Sequence, residues 1–561
     1  MRRHIAVSLV LGLLAAGMAA AEDRTAPEIG AATNFGQGWQ PDMLEASGQL
    51  PVTLFRDAVY WSLVERDGAY VYDGPRTVFP DLLEERGARL VFVVNNGHPA
   101  YDDGHTPYSD AAVAAFAAHA ADAVRRFPAI ESVEVGNEMN AENFVSGPGW
   151  KVPLEERAVA YTRLLAATAE AVRAVRPEVE ILGGAGHSIS LTWFEALSRA
   201  GAPEHMDAVS THPYDVPPEM LVRKFAELRK VPGFEEMPLV VTEIGRPEPA
   251  EAPGYLLRTY CQLALAGTTR YVWFALNARG DKMVPLVTRT GDVTGAGRAY
   301  RMVQQDFAGQ PVRAIAPDPF TYGCAFGDRH VMLWGADRPL EVSPAVVVRD
   351  ATGAGLPRDG LTLSPTEPVV LSIAEGPLVE GGGYRLGPQR VIADSYHQFA
   401  FDQEAALEGG AWARWVRTAD GIEAPMEKRP GQRRGGVPWD PHLGTGLDGV
   451  AMADADWAVP SLPPAGPLEV LLRHRVARDV RAVIEVEAAP RAGRADSVAL
   501  RISRGDAVLE TAQVEEARRW RVGPLDLAAG EVIEVAVGPN EAGASNFVNL
   551  RARLVHAGDG S

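Results

Sequence analysis

Cysteine is almost missing from this chain: Cys261 and Cys324 are the only two in 561 residues. Neither sits in a CxxC pair or a Cys/His grouping, which excludes a structural zinc finger and a disulfide-stapled miniature fold. Nothing in their context makes them meet, so two buried free thiols are expected. Positive charge is also in deficit, with 54 Lys and Arg against 73 Asp and Glu, a formal balance of -19. No basic stripe interrupts it, and such a chain repels phosphate backbones, so nucleic acid is excluded as a partner. Long apolar runs are scarce as well. Only residues 5–14 form one, too short for a comfortable bilayer span, and no stable membrane insertion is expected. With 46% hydrophobic and 23% charged residues, long disorder is excluded too.

What stands at the N-terminus is Met1-Arg2-Arg3-His4, the apolar run Ile5 to Leu14 and the small residues Ala19 to Ala21. This pattern predicts a secretory signal peptide over 1–21, cleaved after Ala21, and an exported protein that is periplasmic or secreted.

The chain is too long for one hydrophobic core, and its rhythm divides it. From about residue 27 to 308, short apolar runs alternate with Gly-containing loops and helix-like segments, the grammar of parallel strands with helical crossovers. Eight strands are expected: Ile29 to Asn34, Thr53 to Tyr60, Leu90 to Asn95, Ser132 to Asn137, Glu180 to Gly184, Ala208 to Thr211, Leu239 to Thr242 and Tyr271 to Ala275. Eight such units in about 280 residues fit a (β/α)8 TIM barrel, with an open doubly wound sheet as the alternative. After Gly309 the pattern turns to short β-branched runs with Gly, Pro and Asp between them. The predicted division is a catalytic α/β barrel at 22–309, a small β-sandwich at 310–376, a linker at 377–390 and a jelly-roll-like all-β domain at 391–561.

Catalytic groups of such barrels project from the carboxyl ends of the strands. Two glutamates stand there: Glu138, ending Ile130-Glu-Ser-Val-Glu-Val-Gly-Asn-Glu138, and Glu243, ending Pro238-Leu-Val-Val-Thr-Glu243. A carboxylate next to a buried run is costly unless it has a use, and two facing carboxyls are what glycosidic cleavage employs. Arg56, Asn95, Asn96, Asn137, His187, His212, Tyr214 and Trp273 fall at other strand ends. Gly186-His-Ser-Ile-Ser190 lacks the last Gly of a nucleophile elbow, and Gly444-Thr-Gly-Leu-Asp-Gly449 opens no helix, so serine-hydrolase and dinucleotide sites are both excluded.

Gly136-Asn137-Glu138 and Thr242-Glu243-Ile244-Gly245 resemble the acid/base and nucleophile motifs of the clan of retaining (β/α)8 glycoside hydrolases. Arg56 with Val59-Tyr60-Trp61, Thr211-His212-Pro213-Tyr214 and Val272-Trp273-Phe274 resemble its second, sixth and eighth strands. Within the clan the chain is most similar to family 39, which includes β-xylosidases and bacterial exopolysaccharide hydrolases. It departs from that family's fourth-strand pattern, carrying Gly136 and Met139 where Trp and Pro flank the Asn-Glu pair.

The resemblance implies Glu243 as nucleophile and Glu138 as acid/base, with Arg56 and Tyr214 on Glu243 and Asn137 on the sugar hydroxyl beside the reacting carbon. His212 would line the same pocket and Trp273 would offer an apolar face to the sugar, while Trp61 and Asn95 are further substrate-binding candidates. Arg56 as a structural salt bridge and Trp273 as core filler are the competing readings. The mechanism implied requires no metal and no cofactor, the partner is a carbohydrate, and the two carboxyls should lie about 5 Å apart. An exo-acting β-xylosidase and a non-catalytic carbohydrate-binding or polysaccharide-assembly protein are the alternatives. In the last domain, Trp439, within Pro438-Trp-Asp-Pro441, is the foremost sugar-binding candidate.

Overall fold

The computed structural model describes residues 24–38, 42–278, 280–432, 438–445, 451–462, 466–491, 497–540 and 546–558. The expected signal peptide at 1–21 and residues 446–449 of the Gly444–Gly449 loop lie outside them. Strands β1 (Glu28–Ala32), β2 (Leu54–Asp57), β3 (Arg89–Val94), β4 (Ile130–Val135), β5 (Glu180–His187), β6 (Ala208–His212), β7 (Leu239–Ile244) and β8 (Thr268–Trp273) form a closed parallel barrel. Side-chain alternation explains the closure. Leu54, Val91, Leu182, Ala208 and Val240 make one interior layer, while Phe55, Leu90, Ile181, Val209 and Val241 join the core under the helices. The open-sheet alternative is thereby removed.

Helix boundaries follow local chemistry. The helix Asp110–Arg126 begins where Ser109 Oγ accepts the Ala112 N–H at 3.2 Å, and it carries Arg125 and Arg126 in its last turn before Pro128 stops it.

A six-stranded antiparallel sheet follows, and one of its edges comes from ahead of the barrel: Arg24–Thr25 pairs with Pro311–Ala314. Residues 377–390, expected as a linker, are part of this unit instead. Tyr384–Leu386 pairs with Leu340–Val342, and Leu378, Tyr384 and Leu386 are buried in the sandwich core, which needs their apolar area. The cysteines also depart from expectation. Cys261, on the helix Ala252–Ala266, and Cys324, on the strand Thr321–Phe326, form a disulfide with their Cα atoms 5.9 Å apart, because that helix packs directly on the sandwich sheet.

The C-terminal domain is built from two antiparallel sheets, of eight and six strands. It is locked to the barrel by buried polar contacts. Glu219 of the barrel accepts from Arg258 of the barrel (2.6 Å), Trp334 of the sandwich (2.8 Å) and Tyr396 of the C-terminal domain (2.6 Å), so one carboxylate ties three domains. Lys224, wholly buried on the helix Leu221–Leu228, donates to Asp440 and to Asp454 (2.6 Å). Buried charges persist only when paired in this way.

Candidate active site

The site is assembled from inward-facing residues of β2, β4, β6 and β7. Arg56, on β2, is the hub. Its Nε donates to Glu134 Oε2 (2.6 Å), its Nη1 to Glu243 Oε1 and its Nη2 to Asn137 Oδ1 (2.9 Å). Burial works against the guanidinium charge, but Glu134 and Glu243 outweigh it and hold the pKa above its usual value.

Glu134 went unremarked in the sequence. It is fully buried on β4 and also accepts from Thr242 Oγ1 at 2.6 Å. Although burial opposes its charge, Arg56 first and His212 and Thr242 after it bring its pKa down to about 2. The signal was there: it shares side-chain parity with Gly136 and Glu138 within an apolar run, and glutamate is rarely buried without a partner.

Glu138 is held at the end of β4 by an uncommon backbone. Its φ is +49°, and that of Gly136 is +88°. A Cβ at position 136 would also stand 2.5 Å from Met139 Cγ, so with Met139 in place only glycine fits there. Both carboxylate oxygens of Glu138 face imidazoles: Oε1 is 3.1 Å from His212 Nδ1, and Oε2 is 2.9 Å from His187 Nδ1. Burial opposes the Glu138 charge, yet His187 and His212 lower its pKa to about 2. The Nε2 of His212 faces Thr242 Oγ1 at 3.0 Å. Thr242 gives its own proton to Glu134, so both ring nitrogens of His212 act as donors. That agrees with electrostatics: burial disfavours the imidazolium, but Glu243, Glu134 and Glu138 raise the His212 pKa to about 9.

Glu243, on β7, receives Arg56 on Oε1 and the Tyr214 hydroxyl on Oε2 at 3.1 Å. A carboxylate oxygen of Glu138 and one of Glu243 lie within 4.8 Å of each other, with His212 between them. Among the described residues these three are the one acid and imidazole group close enough to share a cation. Arg56 already places a positive charge on Glu243, which opposes a metal there.

Of the other expected residues, Asn137 and Asn95 are half-buried at the barrel mouth, Asn95 accepting from Asn96 at 2.5 Å. Two aromatics do not serve as proposed. Trp273 is fully buried outside the barrel, packed on Tyr255, with its Nε1–H donated to the Val284 carbonyl. Alternation decides this: Val272 and Phe274 face inward, so Phe274 is the strand's aromatic near Tyr214. Trp61 is also buried, covered by Tyr101 (5.1 Å) and His98 (5.2 Å), because it opens a short helix that packs on Phe116 and His119.

His187, one of several polar strand ends in the sequence, proves to touch Glu138. Asn140 fixes its position, accepting its N–H (2.7 Å) and donating to its carbonyl (3.1 Å). Against the His187 ring, at 4.6 Å, lies Trp439 of the C-terminal domain.

No protein-family model matches this chain, and no curated protein does. Solved structures do. A family 39 glycoside hydrolase from the gut symbiont Bacteroides cellulosilyticus aligns with a TM-score of 0.51 at 19% identity, over 63% of this chain and 81% of that one. A family 39 β-xylosidase from Caulobacter crescentus aligns at 0.46 and 16% identity, over 63% and 98%. A family 30 subfamily 8 xylanase from Clostridium acetobutylicum aligns at 0.45 and 13%, again over 63% and 98%. At these identities the likeness is one of fold alone, and in each case it covers 63% of this chain.

Proposed function

We propose that this chain is an exported glycoside hydrolase that cleaves β-glycosidic bonds of a polysaccharide or oligosaccharide with retention of configuration. One observation carries the reading: the Glu138 and Glu243 oxygens within 4.8 Å of each other at the barrel mouth. Inversion needs about 6.5–9.5 Å to seat a water between the carboxyls, whereas double displacement uses about 5–5.5 Å. Glu243 attacks the anomeric carbon while the leaving oxygen takes the C–O electron pair and a proton from Glu138. That proton is held at rest by the His212–Glu138 pair and passes along their 3.1 Å contact. Glu138 then takes a proton from water, which attacks the glycosyl-enzyme and frees Glu243.

The Asn137 carbonyl oxygen is occupied by Arg56, so its amide N–H groups are turned to donate to the neighbouring sugar hydroxyl. Export is supported by the leader-like residues 1–21 and by the Cys261–Cys324 disulfide, a bond that persists in oxidising compartments. Replacing Glu243 with Ala should abolish turnover of aryl β-glycosides, and azide should restore it as a glycosyl azide of inverted configuration. If wild type and Glu243→Ala both bind sugars and neither cleaves any member of a broad glycan panel, the enzymatic reading is wrong and a binding protein remains.

A further inference from the structure

Resting on that reading, we propose that the C-terminal domain completes the active site: Trp439 forms the wall of a subsite for the sugar on the leaving-group side of the cleaved bond.

The placement follows from the two faces of Glu138. Its Oε1 is turned to His212, which lies 3.9 Å from Glu243 and so marks the side of the anomeric carbon. Its Oε2 is turned the other way, to His187, and Trp439 stands edge-on to that imidazole with ring centroids 4.6 Å apart. Going outward from the acid/base, the order is carboxylate, one imidazole ring, indole. A saccharide whose bridging oxygen is protonated by Glu138 extends in that direction. Trp439 is half-buried, leaving part of the indole open to a ligand, and apolar ring faces of sugars pack on such platforms while their hydroxyls stay wet.

The indole is delivered by a built connection. Gln432 takes a φ of +112°, a conformation a glutamine seldom adopts. Its side chain accepts from Ser190 Oγ (2.8 Å) and Asn140 Nδ2 (3.2 Å) and donates to the Asn140 carbonyl (3.1 Å). Asn140 is the residue that also fixes His187, so the loop carrying Trp439 and the strand end carrying the imidazole share one anchor. On the other side of Trp439, Asp440 is bound to buried Lys224 of the barrel. Pro438, just before the indole, accepts the N–H of the anchored Gln432 (2.9 Å), and Asp440, just after it, is held by Lys224, so the indole is fixed to the catalytic domain from both sides, which an independently tethered sugar-binding module would not require.

The test compares wild type, Trp439→Ala and Trp439→Phe on two probes: the 4-nitrophenyl β-glycoside the wild type cleaves best, and the β-linked tetrasaccharide of the same sugar. Nitrophenolate puts a single ring on the leaving-group side and, as a good leaving group, depends little on binding there, whereas a tetrasaccharide needs that side to hold a poor leaving group. Trp439→Ala should lower kcat/KM on the tetrasaccharide ~10- to 50-fold, the range that one apolar contact face supplies, and at least ~5-fold more than on the aryl glycoside. Trp439→Phe, which keeps a ring at the wall, should recover most of the tetrasaccharide loss while melting like the wild type. Equal losses on both probes, or no loss, would overturn the subsite and leave the hydrolase standing, Trp439 then being only a prop for His187. A wild type that cleaves neither probe nor any panel glycan would overturn the function and the subsite together.

Discussion

Glu134→Gln isolates the residue on which the site's charge balance turns. In the wild type, Glu134 is ionised throughout any usable pH range, since its pKa is lowered to about 2. It receives Arg56 Nε and Thr242 Oγ1, both at 2.6 Å. A charge-assisted hydrogen bond is worth about 1.5–3 kcal/mol net, and glutamine can accept only one of the two while turning an N–H toward the other donor. Arg56 keeps Glu243, so the cost stays below the 3–5 kcal/mol of stripping a buried charge of its sole partner. About 2 kcal/mol is expected, which, if it falls on the transition state through a displaced Arg56, is ~30-fold in kcat.

A second readout separates positioning from mere destabilisation. Glu134 is among the groups that raise His212 to about 9. The catalytic proton of the His212–Glu138 pair is present below that pKa and lost as pH rises through it, so the alkaline limb of the wild type should fall near pH 9. Removing the Glu134 charge lowers the His212 pKa and moves that limb to lower pH. The assay is kcat on a saturating aryl glycoside from about pH 5 to 10, beside a denaturant melt. An unmoved alkaline limb together with a lowered midpoint would refute the argument, since Glu134 would then support the fold without tuning the proton.

Two further outcomes concern the seams between domains. Cys324→Ser should lower resistance to denaturant by about 2–4 kcal/mol, as should reduction of the wild type, because the crosslink closes a separation of 63 residues. Equal stability of oxidised and reduced protein would contradict it. Burial, with Asp215 and Asp454 nearby, pushes Asp440 up to about 8 against the pull of Lys224. An acid whose folded pKa is raised loses its contribution as pH climbs, here between about 4 and 8. Between pH 5 and pH 9 the wild type should therefore lose more stability than Asp440→Asn, which has no carboxyl to ionise, as read by thermal melts at both. A variant destabilised equally at both would show that the Asp440 charge is essential to Lys224.

The barrel was legible because each strand is a short apolar run with a turn signal at its end, and all eight expected runs became strands. The positions of Glu138 and Glu243 followed from counting those strands. Parity held further information that motif likeness obscured. Trp273 follows an inward Val272 and therefore faces the helices, and Glu134 precedes Glu138 by two inward positions. Trp61 shows the limit of likeness: its position after β2 matches a sugar-contact strand, but its ring is consumed by packing against Tyr101 and His98.

The amino-acid sequence by itself determined the α/β barrel, the following β-domains and the two glutamates at strand ends, since periodicity and turn residues act over a few positions. Tertiary structure alone decided that Cys261 meets Cys324, that His187 and His212 share Glu138, and that Trp439 reaches the barrel mouth. Those contacts join residues up to hundreds of positions apart. They arise only when packed domains bring buried charges such as Lys224 and Glu219 to partners that no local pattern names.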